Sequence, residues 1–161
     1  MAILEVLHFP DDRLRKKALR VEKIDNEIKE IANDMLETMY DEGGIGLAAT
    51  QVNIQKRIVV IDLSEEKNSP LILVNPEVVR SEGTETMREG CLSVPDYFDT
   101  VERAEFIEFN YQNLDGETIC EETGGLLAVC VQHEIDHLNG VLIIDHAPLV
   151  DRLNIKSKLM Y

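Results

Sequence analysis

The motif His-Glu-x-x-His, at His133, Glu134 and His137, contains the residues of this sequence that are best suited to chemistry. On an α-helix, residues four positions apart lie on one face, so both imidazoles can bind the same metal ion. Glu134 lies about 100° further round such a helix, where its carboxylate can reach a water molecule on the metal. The apolar residues 126–131 indicate a buried helix. The alternative is a pair of core histidines without a metal, and the motif and its surroundings favour the metal.

Two histidines leave a catalytic metal one ligand short, because such sites usually combine three protein ligands with one open position. After the second histidine, the candidate ligands are Asp145, His146 and Asp151. Before it, Cys91 lies in segment 89–95, which its glycine and proline predict to be a constrained loop. A thiolate ligand would explain a cysteine in such a loop, so the chemistry favours Cys91 and leaves the other three residues open.

The composition predicts a single folded domain, residues 1–161, because 44% of the chain is hydrophobic and no segment has low complexity. The formal net charge of −15 should repel nucleic acids and anionic membranes. No apolar run can span a bilayer, and the N-terminus lacks a signal sequence, so we expect a cytoplasmic protein. Disulfides are not expected for an odd set of cysteines, Cys91, Cys120 and Cys130.

Apolar spacing predicts two long helices. The first has apolar residues at steps of four, three, four and four, namely Ile24, Ile28, Ile31, Met35 and Met39. The second is the metal helix, which should open at Gly124-Gly125 and end at Gly140. A short C-terminal helix is predicted from Pro148.

Apolar runs and turn signals predict strands over 57–63, 71–76, 101–111, 118–122 and 141–145, with a hairpin turn at 113–116. No internal repeat or linker interrupts these elements. We therefore predict an α+β fold, a single domain in which mixed, mostly antiparallel sheets pack around the central metal-binding helix.

Three segments of the sequence resemble the signature motifs of the peptide deformylase family, in the same order and at similar spacing. They are 44–51 (GIGLAATQ), 89–93 (EGCLS) and 132–137 (QHEIDH). The similarity extends to segment 6–8 and to Glu102-Arg103, so it covers nearly the whole chain. Three long motifs together are specific, and the chain is identified as a member of this family.

The resemblance implies hydrolysis of the formyl group from the N-terminal formylmethionine of newly made proteins. The metal ligands that it implies are Cys91, His133 and His137. Fe²⁺ is the usual metal of the family, and Zn²⁺ or Ni²⁺ can occupy the site. Glu134 would take a proton from the metal-bound water and later pass it to the departing amine. The Gln51 side-chain amide, the Leu92 backbone N–H and the metal would stabilise the oxyanion.

The resemblance also implies where the peptide binds. Residues expected to bind the substrate are Gly44, Ile45, Gly46, Glu89 and Gly90, and the backbone around Ile45 and Gly46 would pair with the peptide as an added strand. The slot for the methionine side chain would be lined by Ile45, Met87, Leu126, Val129 and Cys130. Glu89 and Arg103 match an ion pair that braces the cysteine loop, and Asp136 is a candidate to orient a metal ligand.

The sequence differs from that of many family members at two places that affect the expected peptide substrate and a contact with the ribosome. Some relatives have an arginine in the loop after the cysteine motif, where Tyr97-Phe98 stands here, and this difference could alter peptide preference. The chain also ends soon after segment 155–158, whereas many relatives continue into a longer basic helix associated with ribosome docking. The short end and the charge of −15 argue against a transient ribosome contact by that route.

Two other functions are consistent with a metal helix of this kind. A general metallopeptidase would need room for a peptide on both sides of the scissile bond. A structural metal module would have four protein ligands and no open position, and Glu134 beside two ligands argues against it.

Overall fold

The computed structural model describes residues 2–147. Its α-helices are α1 (Asn26–Asp41) and α2 (Gly125–Leu138). Its strands are β1 (Gly46–Ala48), β2 (Ile58–Ile61), β3 (Leu71–Glu82), β4 (Glu85–Cys91), β5 (Val94–Arg103), β6 (Phe106–Gln112) and β7 (Thr118–Gly124). Short 3-10 helices span Asp12–Arg15, Ala49–Val52 and Ile143–His146. Neither α-helix in this range has the length and apolar character needed to cross a membrane.

The strands form two sheets, and within each sheet every pair of neighbouring strands is antiparallel. The larger sheet has five strands in the order β1-β2-β3-β6-β7, and β4 and β5 form a separate hairpin. Together with the two helices, this arrangement confirms the predicted α+β fold with antiparallel sheets.

The larger sheet lies between the two helices, and β2 shows this most directly. Ile58 and Val60 pack in the cluster that contains α1, whereas Val59 and Ile61 pack in the cluster that contains α2. Alternate side chains of a strand point to opposite faces, so β2 is buried on both sides. This double burial explains why its sequence is apolar without alternation.

The two long predicted helices are confirmed. The side chain of Asp25 caps α1 by accepting a hydrogen bond from the backbone N–H of Ile28 at 3.1 Å. Helix α2 is followed by Gly140, whose φ of 76° is the left-handed conformation that favours glycine. Buried residues of α2, including Val131 and Leu138, pack against the larger sheet and hold the helix in the centre of the fold.

Three predicted segments differ in the structure. Residues 141–145 are not a strand, because Ile143–His146 is a 3-10 helix and the carboxylate of Asp145 accepts a hydrogen bond from Leu142 N. Segment 101–111 is divided between β5 and β6, which belong to different sheets. The division falls at Ala104, whose backbone N–H and C=O both bond to the side-chain amide of Gln132.

The segment around Cys91 is also not a loop, because it forms the end of β4 and the tight turn into β5. The helix predicted from Pro148 lies outside the described residues.

Candidate active site

The imidazoles of His133 and His137 project from one face of α2 toward Cys91, the last residue of β4. The Nε2 atom of His137 lies 3.2 Å from Nε2 of His133 and 3.2 Å from Sγ of Cys91. The three ligand atoms all lie within 4.8 Å of one another. Ligands of one tetrahedral zinc-like ion, with bonds of about 2.0–2.3 Å, lie about 3.3–3.6 Å apart. The three residues therefore fit a single metal ion.

The charges around the cluster also suit a cation. Burial opposes a charge on His133, but its hydrogen bonds with Cys91 and Glu89 outweigh burial and raise its pKa to about 10. The anionic groups that stabilise a proton there would equally stabilise a metal ion. Burial, with the nearby His133, holds the pKa of His137 well below its usual value, so this imidazole is neutral, as a ligand must be.

Glu134 lies beside the cluster and is almost fully buried, with 3% of its surface exposed. Its Oε1 atom is 3.6 Å from Nε2 of His133, and its Oε2 atom has no hydrogen-bond partner among residues 2–147. Burial raises the pKa of this carboxyl to about 7. A Cβ at Gly46 would lie 3.1 Å from Oε2, so a glycine there lets β1 run close to the carboxylate. A buried carboxyl with such a pKa is able to accept or donate a proton near neutral pH.

Gln51 reaches the cluster from the 3-10 helix Ala49–Val52, and its amide has a fixed orientation. Its Oε1 atom accepts a hydrogen bond from the backbone N–H of Ala48 at 2.9 Å. Its Nε2 atom therefore points to the cysteine side, where it donates to Ser93 Oγ at 3.0 Å and to Cys91 Sγ at 3.7 Å. The N–H side of the amide thus lies next to the cysteine of the metal cluster.

A chain of charged groups runs from His133 to the surface. Glu89 accepts from Nδ1 of His133 at 2.8 Å and forms a buried bidentate ion pair with Arg103, at 2.7 and 2.9 Å. Arg103 also donates to Asp136 at 2.9 Å, and Asp136 contacts His146 at 3.0 Å. The arrangement fixes the orientation of the His133 ring.

The downstream alternatives for the third ligand do not join the cluster. His146 bonds to Asp136 instead, and Asp145 forms an ion pair with Arg15. Asp151 lies outside the described residues. Of the described residues, Cys91 completes the group with the two histidines. Cys120 is exposed on β7, where its thiol donates to Glu108 at 3.3 Å.

A cavity of about 620 Å³ opens over the cluster. The residues that were predicted to contact substrate or metal and that line it are Gly44, Ile45, Gly46, Gln51, Met87, Glu89, Gly90, Cys91, Leu92, Leu126, Val129, Cys130, His133 and Glu134. His137 lies deeper, with 1% of its surface exposed. Burial raises the pKa of Cys130 to about 12, so its thiol is a neutral part of the wall.

Several residues of the cavity mouth were not among the predicted site residues: His8, Glu42, Gly43, Arg88, Pro95, Asp96 and Phe98. Phe98 could have been identified from the sequence, because the pair Tyr97-Phe98 stands where some relatives of the family have an arginine. The structure separates the two, because Tyr97 bonds to Asp99 at 2.7 Å whereas the exposed Phe98 lines the mouth. The other mouth residues carried no comparable signal, since polar and small side chains are common on any surface.

A Cys/His/His cluster with a buried glutamate, at the floor of a cavity in an antiparallel α+β fold, defines a metal-dependent hydrolase. The sequence model of the polypeptide deformylase family matches residues 3–153. The chain belongs to the peptide deformylase family and is an enzyme of that kind.

Curated and solved relatives agree with this assignment. The chain is 54% identical to the peptide deformylase of Pseudoalteromonas translucida over 99% of its length and 95% of the relative. It is 52% identical to that of Nitrosococcus oceani, over 98% and 95%. The crystal structure of a peptide deformylase from Legionella pneumophila superposes with a TM-score of 0.94 at 44% identity, covering 99% of this chain and 94% of that one. The Synechococcus elongatus enzyme in complex with actinonin gives 0.91 at 43%, covering 98% and 87%.

Proposed function

We propose that this enzyme removes the formyl group from the N-terminal formylmethionine of newly synthesised proteins in the cytoplasm. The observation that carries the proposal is the placement of Glu134, buried beside the Cys91/His133/His137 cluster at the floor of the cavity. A carboxylate beside a metal site with three protein ligands is an arrangement that can hydrolyse an amide, and the N-formyl amide has the smallest acyl group that such a site could receive.

The metal in this proposal is Fe²⁺, one ion per chain, held by the cysteine and the two histidines. A Cys/His/His donor set also binds Zn²⁺ and Ni²⁺, so the choice of iron rests on family membership alone. When bound, the ion would act as a Lewis acid that polarises the formyl oxygen and acidifies a water molecule.

Glu134 is the proposed general base and acid. Its pKa of about 7, raised by burial, leaves a substantial fraction ionised at neutral pH and makes the protonated form accessible after the first transfer. The carboxylate accepts the proton of the attacking water and returns it to the nitrogen of the departing amine. Its position near the backbone of Gly46 shields this transfer from bulk solvent.

Gln51 and the backbone N–H of Leu92 are the proposed donors to the developing oxyanion. The Ala48 N–H holds the amide of Gln51 in place before substrate arrives, so its Nε2 has only to exchange or share its contacts with Ser93 and Cys91 to reach the oxyanion. Leu92 follows the cysteine directly and lines the same cavity. Removing one such donor commonly lowers kcat by about 10²–10³.

The peptide would bind in the groove between the glycine-rich segment before β1 and strand β4. Main-chain hydrogen bonds to Ile45 and Gly46 would give affinity that does not depend on the peptide sequence. The methionine side chain would enter the apolar wall formed by Met87, Leu126, Val129 and Cys130, all of which line the cavity.

The proposal is tested by purifying the enzyme without oxygen, measuring its bound metals, and assaying the same sample on two peptides. One carries N-terminal formylmethionine, and the other has the same composition, a blocked N-terminus and only internal peptide bonds. We expect release of formate from the first and no cleavage of the second. Preference for the internal bond would identify a general metallopeptidase instead.

A further inference from the structure

The β4–β5 hairpin presents two chemically different faces to the cavity. Gly90 pairs with Phe98 and Arg88 pairs with Thr100, so these residues share one face of the hairpin. Met87 and Glu89 alternate with them and lie on the other face, where Glu89 contacts Arg103 and His133.

The ring of Phe98 lies on the hairpin face that carries Arg88 and Gly90, where it is packed on one side and exposed to solvent on the other. Its ring lies directly over Gly90, where a Cβ atom would come within 2.5 Å of the ring carbon Cε1. The guanidinium carbon of Arg88 lies 5.2 Å from the ring centroid, within the range of a cation–π contact. The residue nevertheless keeps 55% of its surface exposed. An aromatic side chain that is held in place while open to solvent at a cavity mouth can receive a ligand.

The register of an extended peptide brings one particular residue to this platform, provided that the proposed function holds. With the formyl group at Cys91, the methionine side chain points toward the Met87 face. Successive side chains of an extended chain point to opposite sides, so the residue after methionine points toward Phe98 and Arg88. Gly90 and Arg88 are one and three residues before Cys91 on β4, which at a rise of about 3.3 Å per residue places them about 3 and about 10 Å along the strand, on either side of where the second peptide residue would lie.

We propose that Phe98, held by Arg88, is a specificity-determining residue that selects an aromatic side chain at the position following formylmethionine. Aromatic stacking supplemented by a cation–π contact favours such peptides by about 3- to 10-fold. An acidic side chain gains no stacking at the same place, and its attraction to Arg88 is opposed by Glu42 and Asp96, which also line the mouth, so it should not be preferred.

The test compares kcat/KM for formyl-Met-Ala-Ala, formyl-Met-Phe-Ala, formyl-Met-Ala-Phe and formyl-Met-Asp-Ala. We expect the wild-type enzyme to prefer Phe over Ala at the second residue about 3- to 10-fold, with a smaller ratio at the third. Phe98→Leu, which keeps the apolar packing over Gly90, should bring the second-residue ratio close to one. Phe98→Tyr, which keeps an aromatic ring, should retain the wild-type preference for Phe at the second residue.

Phe106→Ala is the matched control, because Phe106 is an exposed phenylalanine on β6 with 52% of its surface accessible and does not line this cavity. It should leave the ratio unchanged. The inference is wrong if the wild-type enzyme shows no preference for Phe, if Phe98→Leu retains the preference, or if the Asp peptide is the best substrate. Failure of the wild-type enzyme to deformylate any of the four peptides would instead remove the proposed function.

Discussion

The carboxylate of Glu89 joins His133 to Arg103, at 2.8 Å from Nδ1 of the histidine and 2.7 Å from Nε of the arginine. Because an ionised carboxylate only accepts hydrogen bonds, it holds one His133 proton on Nδ1, so that Nε2 is the nitrogen from which a bound metal ion would displace the other proton. Burial favours the neutral form of Glu89, but His133 and Arg103 outweigh it and lower its pKa. One residue thus fixes both the tautomer of a ligand and the ion pair behind it.

Glu89→Gln should therefore weaken the metal site. The amide removes the negative charge that orients His133 and compensates Arg103, and such losses typically lower metal affinity by about 10- to 100-fold. Competition with a chelator measures the change. Glu85→Gln, six residues from Cys91 on the same strand, is the control and should retain normal affinity. Equal affinities for Glu89→Gln and the wild-type protein would contradict the orienting role.

Glu134→Ala should abolish turnover while the metal stays bound. The general base contributes about 10²–10⁴ in rate, whereas the ligand atoms belong to other residues. The measurements are kcat on a formylmethionyl peptide and metal content on the same preparation. Near-normal deformylation by this variant would show that another group accepts the proton.

Gly140→Ala should destabilise the fold more than Gly116→Ala. Both glycines have positive φ, at 76° and 81°, so both substitutions strain the backbone by roughly 1–2 kcal/mol. At Gly140 the added Cβ would also collide with the backbone carbonyl of Arg15, whereas nothing lies within 4 Å of the Cβ at Gly116. Urea denaturation of the two variants measures the difference. Similar losses would mean that the Arg15 segment moves aside freely.

Asp62→Asn should reduce the acid sensitivity of folding. Hydrogen bonds from the hydroxyls of Ser64 and Tyr40, with backbone donors, lower the pKa of Asp62 from 3.8 to about 2. A lowered pKa stabilises the fold above the unfolded value, and this contribution is lost as the pH falls from about 4 to about 2. The variant should therefore lose less stability across that window.

Denaturation midpoints at a series of pH values provide the measurement for Asp62→Asn. Asp115→Asn, at an exposed turn position, is the control and should follow the wild-type protein. Parallel curves for wild-type and Asp62→Asn proteins would exclude this carboxylate as a source of the acid sensitivity.

Local patterns predicted both α-helices and four of the seven strands, whereas β1, β4 and most of β5 were not predicted. Long-range contacts account for several of the differences. The boundaries of α2 could be predicted because glycines flank a continuous apolar run and the His-Glu-x-x-His spacing is helical. The break between β5 and β6 could not, because it depends on the Gln132 amide, which lies 28 residues from Ala104. The apolar run at 142–144 indicated a strand, yet its burial against Leu7, Leu14 and Val94 also suits a 3-10 turn.

In the active site, too, some residues could be predicted from the sequence and others depend on long-range contacts. Family motifs indicated Cys91, His133, His137 and Glu134, which the structure brings together. The contact between Asp136 and His146 was not foreseen, since it depends on the 3-10 helix that replaces the expected strand. The role of the hairpin face around Phe98 required the strand register, which no local pattern specifies.

Cys91 and the two histidines come from parts of the fold that share no sheet, because the β4–β5 hairpin does not pair with the larger sheet in residues 2–147. A metal ion bound by all three would act as a cross-link between the hairpin and α2. Its binding energy then contributes to folding, about 2.7 kcal/mol when the free ion is at 100 times its dissociation constant. Metal scarcity would consequently lower the amount of folded enzyme as well as its activity, and cellular abundance would follow metal supply.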